Sequence, residues 1–311
     1  MGTSNKMMRN LILLLIVLLV STDFRAQQDA LYSQYMFNPF AINPGYAGSR
    51  DAVSGVLLHR NQWRNMDGAP STSTIAIHSP IKGKNFSLGL NGFYETIGPS
   101  TNSGCFLTYA YRLKLASGKL AFGLRGGWYT SNFDKSKLNY NDPADHFNSG
   151  EMVKASTPSF DFGVYYNTNH FFVGANVSHL GELGARFNDA TQTKLELNQH
   201  YILSAGGAFE LSSKLVYKPS VNVKYVAGSP INIDINSSFL INKLIWLGAS
   251  YRTSKSVALI MEMNVTDFAR FGYSYDIIFN QLSTYNNGSH ELFIGFDFGF
   301  KKKKSVSPRY L

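Results

Sequence analysis

Seven histidines, one cysteine and a scatter of serines and acids are the residues in this chain able to do catalysis or hold a metal. Their spacing assembles no site. His59, His78, His146, His170, His179, His200 and His290 stand apart, none with a second His or Cys at ligand spacing, so no metal centre is expected. Cys105 is alone, which excludes an intramolecular disulfide and any cysteine-based zinc site. A surface lipid hydrolase would need Ser, His and an orienting Asn or Asp on one rim. Ser178-His179 comes nearest to this, and His78-Ser79 falls beside a short turn on the wrong side. Asp134, Asp142, Asp145 and Glu151 stand among asparagines in one long loop. That composition suits loose calcium contact, and reads more simply as a solvated loop. No phosphate loop, HExxH, GxSxG or EF-hand pattern occurs. The expectation is therefore no catalytic residue, no cofactor and no metal.

The elements that carry these residues point to a different kind of protein. The 311 residues are 44% hydrophobic, 14% aromatic and only 16% charged, against roughly 25% charged in ordinary globular domains. Glycine at 27, Phe at 23 and Tyr at 18 favour twisted strands over helices. So many aromatics exclude a disordered chain. The formal charge of +9 sits mostly at the two ends, in Lys6, Arg9 and Arg25 and in Lys301–Lys304 with Arg309. The body between is close to neutral, which excludes a basic groove for nucleic acid.

Residues 1–26 read as a secretory signal. Lys6 and Arg9 precede the apolar run Leu11–Val20, too short for a membrane helix, which needs about 20 residues. Cleavage after Ala26 leaves Gln27 first, although Phe24 fits the −3 position poorly. Nothing later approaches the length of a spanning helix. Two architectures remain: an exported soluble β-protein, or a β-barrel in an outer membrane.

From residue 52 onward, apolar and polar residues alternate with the period of two that marks a strand with unlike faces. Fourteen strands are expected, at about 52–59, 71–79, 85–96, 101–115, 119–130, 157–167, 170–180, 199–211, 214–227, 230–241, 244–252, 255–264, 267–279 and 290–300. Every connection after an even-numbered strand is short. All the long ones, at 60–70, 131–156, 181–198 and 280–289, follow odd-numbered strands. A barrel with both termini in the periplasm separates its loops in this way, and a sandwich has no reason to. The fold expected is all-β, a transmembrane antiparallel up-and-down barrel over 52–300. In lipid, only a closed sheet or a helix satisfies its own backbone. The apolar faces then meet acyl chains, with Tyr94, Trp128, Tyr129, Tyr225, Trp246 and Tyr251 as interfacial girdles. The polar faces line a lumen in which Lys218, Lys224, Asp234, Glu262, Arg270, Asp276, Glu291 and Asp297 pair across strands. The tail 301–311 becomes a basic stretch at the periplasmic mouth.

Residues 27–51 do not alternate. Asn38-Pro39 and Asn43-Pro44 force turns or extended dipeptides, yet Tyr32, Tyr35, Met36, Phe37, Phe40, Ile42 and Tyr46 are apolar or aromatic. An apolar segment barred from regular structure folds against something else, here the periplasmic end of the lumen.

The run from Ser33 to Ser49, Ser-Gln-Tyr-Met-Phe-Asn-Pro-Phe-Ala-Ile-Asn-Pro-Gly-Tyr-Ala-Gly-Ser, resembles the N-terminal signature of the PorP/SprF family. Arg60-Asn61-Gln62-Trp63-Arg64 followed by Gly68-Ala69-Pro70 is similar to that family's next block. Gly45, where the family often has Ala, is a mild departure. The resemblance implies an outer-membrane barrel of the type IX secretion and gliding-motility machinery of Bacteroidota, with no enzymatic activity. The partners it implies are a secreted adhesin-like surface protein, periplasmic lipoprotein or peptidoglycan-linked subunits, and outer-membrane lipid. The contact candidates are Tyr32, Gln34, Tyr35, Asn38, Pro39, Asn43, Pro44, Tyr46 and Gly48 in the first block. Arg60, Gln62, Trp63, Gly68 and Pro70 are those of the second, where Arg–Trp stacking would fold the first external loop over the lumen. The alternative function is a diffusion channel or hydrophobic-solute transporter.

Overall fold

A continuous antiparallel meander forms the wall of the molecule. The computed structural model describes residues 29, 31–138, 150–188 and 194–299. The signal 1–26, the tail 301–311, His146 and the loop acids Asp142 and Asp145 lie outside the described residues. Strands β1 (Ala52–Asn61), β2 (Ser71–Pro80), β3 (Phe86–Ile97), β4 (Ser100–Leu115), β5 (Gly118–Asp134), β6 (Met152–Asn167) and β7 (Phe171–Ser178) pair in sequence order. A small hairpin, β8 (Gly184–Arg186) with β9 (Lys194–Glu196), stands apart as its own sheet. The wall resumes with β10 (His200–Gly207) and β11 (Phe209–Ser212), one barrel strand interrupted at Ala208. It continues through β12 (Leu215–Val226), β13 (Asn232–Ile241), β14 (Ile245–Arg252), β15 (Ser256–Asn264), β16 (Ala269–Ile278) and β17 (Ser289–Gly299). The first and last strands pair from Ala52–Gly299 to Asn61–His290, and β10 bridges β7 and β12. The sheet therefore has no free edge, and the barrel is closed with 14 strands.

The alternation chooses the two faces. Leu107 is 70% and Leu124 59% exposed, and Leu88, Ile235, Leu259 and Ile294 also point outward. That apolar outer surface is the lipid-facing band of a membrane barrel. No helix among the described residues is long and apolar enough to cross a membrane; the crossing elements are strands. The inner face holds Arg60, Glu95, Arg112, Arg125, Asp234, Glu262, Asp276 and Glu291, all buried. Its apolar members Leu58, Leu240, Trp246, Ile260 and Phe293 are the half of the core that the wall supplies.

Two girdle expectations fail. Tyr129 and Trp246 are 4% and 3% exposed and face inward, whereas Tyr94, Trp128, Tyr225 and Tyr251 face out. Trp128 and Tyr129 are consecutive in a strand, so only one can meet lipid. The hairpin of β5 and β6 also runs further than its alternation suggests, pairing to Asp134–Met152. The outward face of that end is mostly polar, with Thr130 Oγ1 and Ser156 Oγ 2.9 Å apart, while Val153 and Ala155 are buried inward, so no outward apolar stripe marks it.

Candidate functional site: the segment inside the lumen

Residues 31–51 run through the barrel interior, and Ser33 to Ser49 are buried except at Ala41. The two Asn-Pro pairs shape this path. Each proline opens a helical turn, where its missing N–H costs nothing and its fixed φ suits the geometry. The turns are α1 (Pro39–Ile42) and a 3-10 turn, Pro44–Tyr46. Asn43 joins them: its side-chain oxygen accepts from the Gly45 N–H at 2.8 Å. Its amide donates to the Val164 and Ala175 carbonyls of the wall, at 3.1 and 3.3 Å. Pro44 and Gly45 press so closely on the wall that a Cβ at Gly123 would collide with their backbone. Gly48, at φ 72°, turns the chain toward β1.

At the short-turn end, which is periplasmic by the loop rule, cations of the wall grip the backbone of the segment. Arg112 donates to the carbonyls of Gly48 (2.5 Å) and Ala47. Arg125 donates to Phe40 O at 2.5 Å and Ala41 O at 3.2 Å, with its guanidinium 5.2 Å from the Phe40 ring centre. Lys218 and Arg270 reach Met36 O and Phe37 O at 3.1 Å each. His78 Nδ1 accepts from Gly48 N–H at 2.9 Å. Aromatic packing fills the rest: Phe37 meets Trp246 at 5.9 Å, and Tyr46 meets Tyr165 at 5.1 Å edge-on. Burying each such ring contributes about 1.5–3 kcal/mol, against roughly 1–2 kcal/mol per residue for fixing the backbone.

At the long-loop end the contacts are ionic and centre on carboxylates. Arg60, 1% exposed, bridges Asp276 (2.6 Å), Glu291 (3.0 Å) and Ser33 Oγ (2.9 Å). Glu291 in turn accepts the Ser33 and Gln34 N–H groups at 2.9 Å each, and Asp276 accepts from Ser33 Oγ at 2.6 Å. Arg252 pairs with Asp234 at 2.6 Å. Tyr32 hydroxyl lies 2.9 Å from Thr74 Oγ1. Above them Asp29 sits between His179 Nε2 (2.8 Å) and His200 Nδ1 (2.6 Å). Burial alone would lower the His179 pKa, but the Asp29 carboxylate outweighs it and raises it to about 9. Against the opposing push of desolvation, the two imidazoles hold Asp29 well below the usual carboxylate range. A cavity of about 120 Å³ lies beneath, lined by Asp29, Tyr32, Glu95, Arg125, His179 and Lys224 among others.

The residues singled out in the sequence thus divide into two places. Gln34, Tyr35, Asn38, Pro39, Asn43, Pro44, Tyr46 and Gly48 are buried in the lumen, and Tyr32 is half-buried there. Arg60 joins them, since its guanidinium is committed to Asp276 and Glu291 instead of stacking on Trp63. The expected Arg–Trp contact is corrected on that ground for Arg60: an inward parity position beside two buried carboxylates outweighs a rim contact. Gln62, Trp63, Gly68 and Pro70 stay on the external rim. Gln62 N–H donates to Pro70 O at 2.9 Å, and Trp63 N–H to Ser289 Oγ at 3.1 Å. Arg64 exchanges backbone bonds with Gly288 and Asn287 across the seam between the first and last strands.

Several lumen charges do pair across strands, as with Arg270 to Glu262 (3.2 Å) and Asp297 (3.4 Å). What sequence reasoning missed is that the same cations hold the inner segment. Arg112 gave one usable signal: its register neighbour on β5 is Ala121, so an inward arginine had no acid opposite and needed carbonyls elsewhere.

The family model described as type IX secretion system membrane protein PorP/SprF matches residues 24–296. No curated protein matched the chain. Among solved structures, the toluene transporter TbuX of Ralstonia pickettii is similar in fold, with 10% identity and a TM-score of 0.51. That match covers 85% of this chain and 94% of TbuX. The monoaromatic hydrocarbon channel CymD has 12% identity and a TM-score of 0.50, covering 89% of this chain and 95% of its own. At such identity the likeness concerns the barrel alone.

Proposed function

The chain belongs to the PorP/SprF family of type IX secretion membrane proteins, and from that premise we propose that it works without catalysis, as a plugged outer-membrane scaffold. It aids export or surface attachment of an adhesin-like secreted protein at the external rim, and it meets periplasmic lipoprotein or peptidoglycan-linked subunits at the other mouth. The signal 1–26 delivers it to the periplasm. The single observation that carries the reading is the filled lumen. Residues 31–51 thread it, with Met36, Phe37, Phe40, Ala41, Ala47 and Gly48 each bonded through their carbonyls to wall cations. A barrel built in this way offers its rims and its lipid face, not a path.

The competing reading is a channel or hydrophobic-solute transporter, which requires the segment to leave the lumen. Deleting the gene should remove one cognate protein from the cell surface, or strand it unexported, while uptake of small solutes is unchanged. Purified protein in a planar bilayer should stay closed. Steady large openings together with an unchanged set of surface proteins would overturn the scaffold reading in favour of the channel.

A further inference from the structure

The histidines that look scattered along the chain are brought together by barrel closure. Asp29 at the start of the inner segment, His179 just past β7 and His200 at the start of β10 place three donor atoms within 4.8 Å of one another. From this geometry we infer that the three residues bind a divalent transition-metal ion, zinc foremost, which clasps the inner segment to the external rim.

The donor set is two imidazole nitrogens and one carboxylate, the borderline set that suits zinc and its neighbours and not calcium or magnesium. Donors sharing a tetrahedral zinc stand roughly 3.3 Å apart for bonds of about 2.0–2.1 Å. Here His179 Nε2 faces one Asp29 oxygen at 2.8 Å and His200 Nδ1 faces the other at 2.6 Å, with all three donors within 4.8 Å of one another. The ion therefore requires the carboxylate to turn one oxygen toward both nitrogens and draw back to that spacing. The surroundings are those of a supported ligand. His179 Nδ1 lies 2.8 Å from Ser159 Oγ, which leaves Nε2 as the atom turned toward Asp29; a fixed second nitrogen is the usual support of a metal-bound histidine. The His179 backbone N–H donates to Asp161 at 3.1 Å, and the residue is held at φ 55°, a conformation that few non-glycine residues adopt. Both rings are buried, whereas the Asp29 side chain is 39% exposed. The fourth position therefore opens toward solvent and the cavity, as a site that exchanges its ion requires. Among the described residues His200 Nε2 has no hydrogen-bond partner, while Nδ1 faces Asp29 at 2.6 Å and is the nitrogen offered to the ion. The ion would tie together three elements of different origin: the inner segment, β7 and β10. The last two flank the external hairpin of β8 and β9.

Tag-free full-length protein in detergent, stripped with a chelator, should take up one Co²⁺ per chain with visible d–d absorption, and Zn²⁺ should displace it. Asp29→Asn and His200→Ala should each abolish saturable uptake. Ser159→Ala should weaken it by about 10–100-fold, the usual effect of losing an outer support. His170→Ala, on the periplasmic turn, should change nothing. Asp29 lies outside every strand, so its variant keeps the barrel, which the heat-modifiable mobility of folded barrels on a gel verifies. Zn²⁺ should also protect the start of the inner segment from protease in the parent and not in Asp29→Asn. Absence of saturable uptake in the parent, or uptake untouched by Asp29→Asn in a verified barrel, would overturn the assignment.

Discussion

The two halves of the lumen hold one segment by different means. Toward the periplasm, Arg112, Arg125, Lys218 and Arg270 bind carbonyl oxygens, and rings pack against rings. Toward the outside, Arg60 and the two histidines bind carboxylates. Carbonyls are present whatever side chains the segment carries, so apart from the buried Arg50–Asp297 pair at 2.8 Å the periplasmic half reads shape: two proline turns and a close approach at Gly123. The external half reads identity in part: Ser33 Oγ meets Asp276 and Asp29 meets two histidines, while Glu291 takes the Ser33 and Gln34 N–H groups. Neutral acceptors left unpaired cost less than buried charges left unpaired. The external half is therefore brittle to substitution, and the periplasmic half is forgiving in its polar contacts but not in its packing.

The largest effect should follow Arg60→Ala. It leaves Glu291 without its cation and Asp276 with only Arg252 at 3.8 Å; both are buried, at 0% and 2% exposed, and breaking a buried charge pair costs about 3–5 kcal/mol. Urea unfolding in detergent should show a fall of that size. Adding Asp276→Asn and Glu291→Gln should recover much of it, because the cost lies in the abandoned charges. If the triple variant is as unstable as the single one, the external half is held by shape and the contrast fails.

Phe40→Ala tests the other half. Phe40 is fully buried against His78 at 4.8 Å and under Arg125, and a deleted core Phe costs about 3–5 kcal/mol. The value should fall at the low end, because water can enter a cavity inside a barrel lumen. The loss should appear as faster hydrogen exchange confined to residues 36–48, with the strands still protected. Exchange spreading through β1 to β4 would mean that the segment and wall are one cooperative unit.

Arg112→Ala should cost less than Arg60→Ala although it removes the same group. It frees the neutral acceptors of Gly48, Ala47 and Ser49, worth about 1–3 kcal/mol. A loss equal to that of Arg60→Ala would erase the distinction between the two grips.

The wall was legible in the sequence because its two solvents differ. Each strand from β1 to β17 that crosses the membrane has lipid on one side and charged or small groups on the other, and that difference writes itself as a period of two. The loop segregation gave closure and orientation. The inner segment was legible as something that avoids strands, since Pro39 and Pro44 forbid them, but its course was not. It reaches past the periplasmic mouth to Asp29 beside His200 near the external rim. Contacts such as Asp29 to His179, 150 residues apart, exist only once the barrel has closed, and no local pattern encodes them. Tyr129 and Trp246 show that aromatic type alone does not mark a girdle, since strand parity separates Tyr129 from Trp128.

The smallest effect sharpens the comparison most finely. Tyr32 and Thr74 share a hydrogen bond of 2.9 Å, a neutral contact in a mainly ionic external half. Tyr32→Phe should cost about 0.5–1.5 kcal/mol, because the ring still lines the cavity and only the hydroxyl is lost. Thr74→Val should cost a similar amount, with the cavity able to supply water to the stranded Tyr32 hydroxyl. The double variant should cost less than the two together, by about 0.5 kcal/mol or more, since residues in direct contact are not additive. Full additivity would mean that the bond adds nothing to the hold on the segment. The external half would then rest on its charges alone, and high salt would act on it only as far as water reaches Asp29.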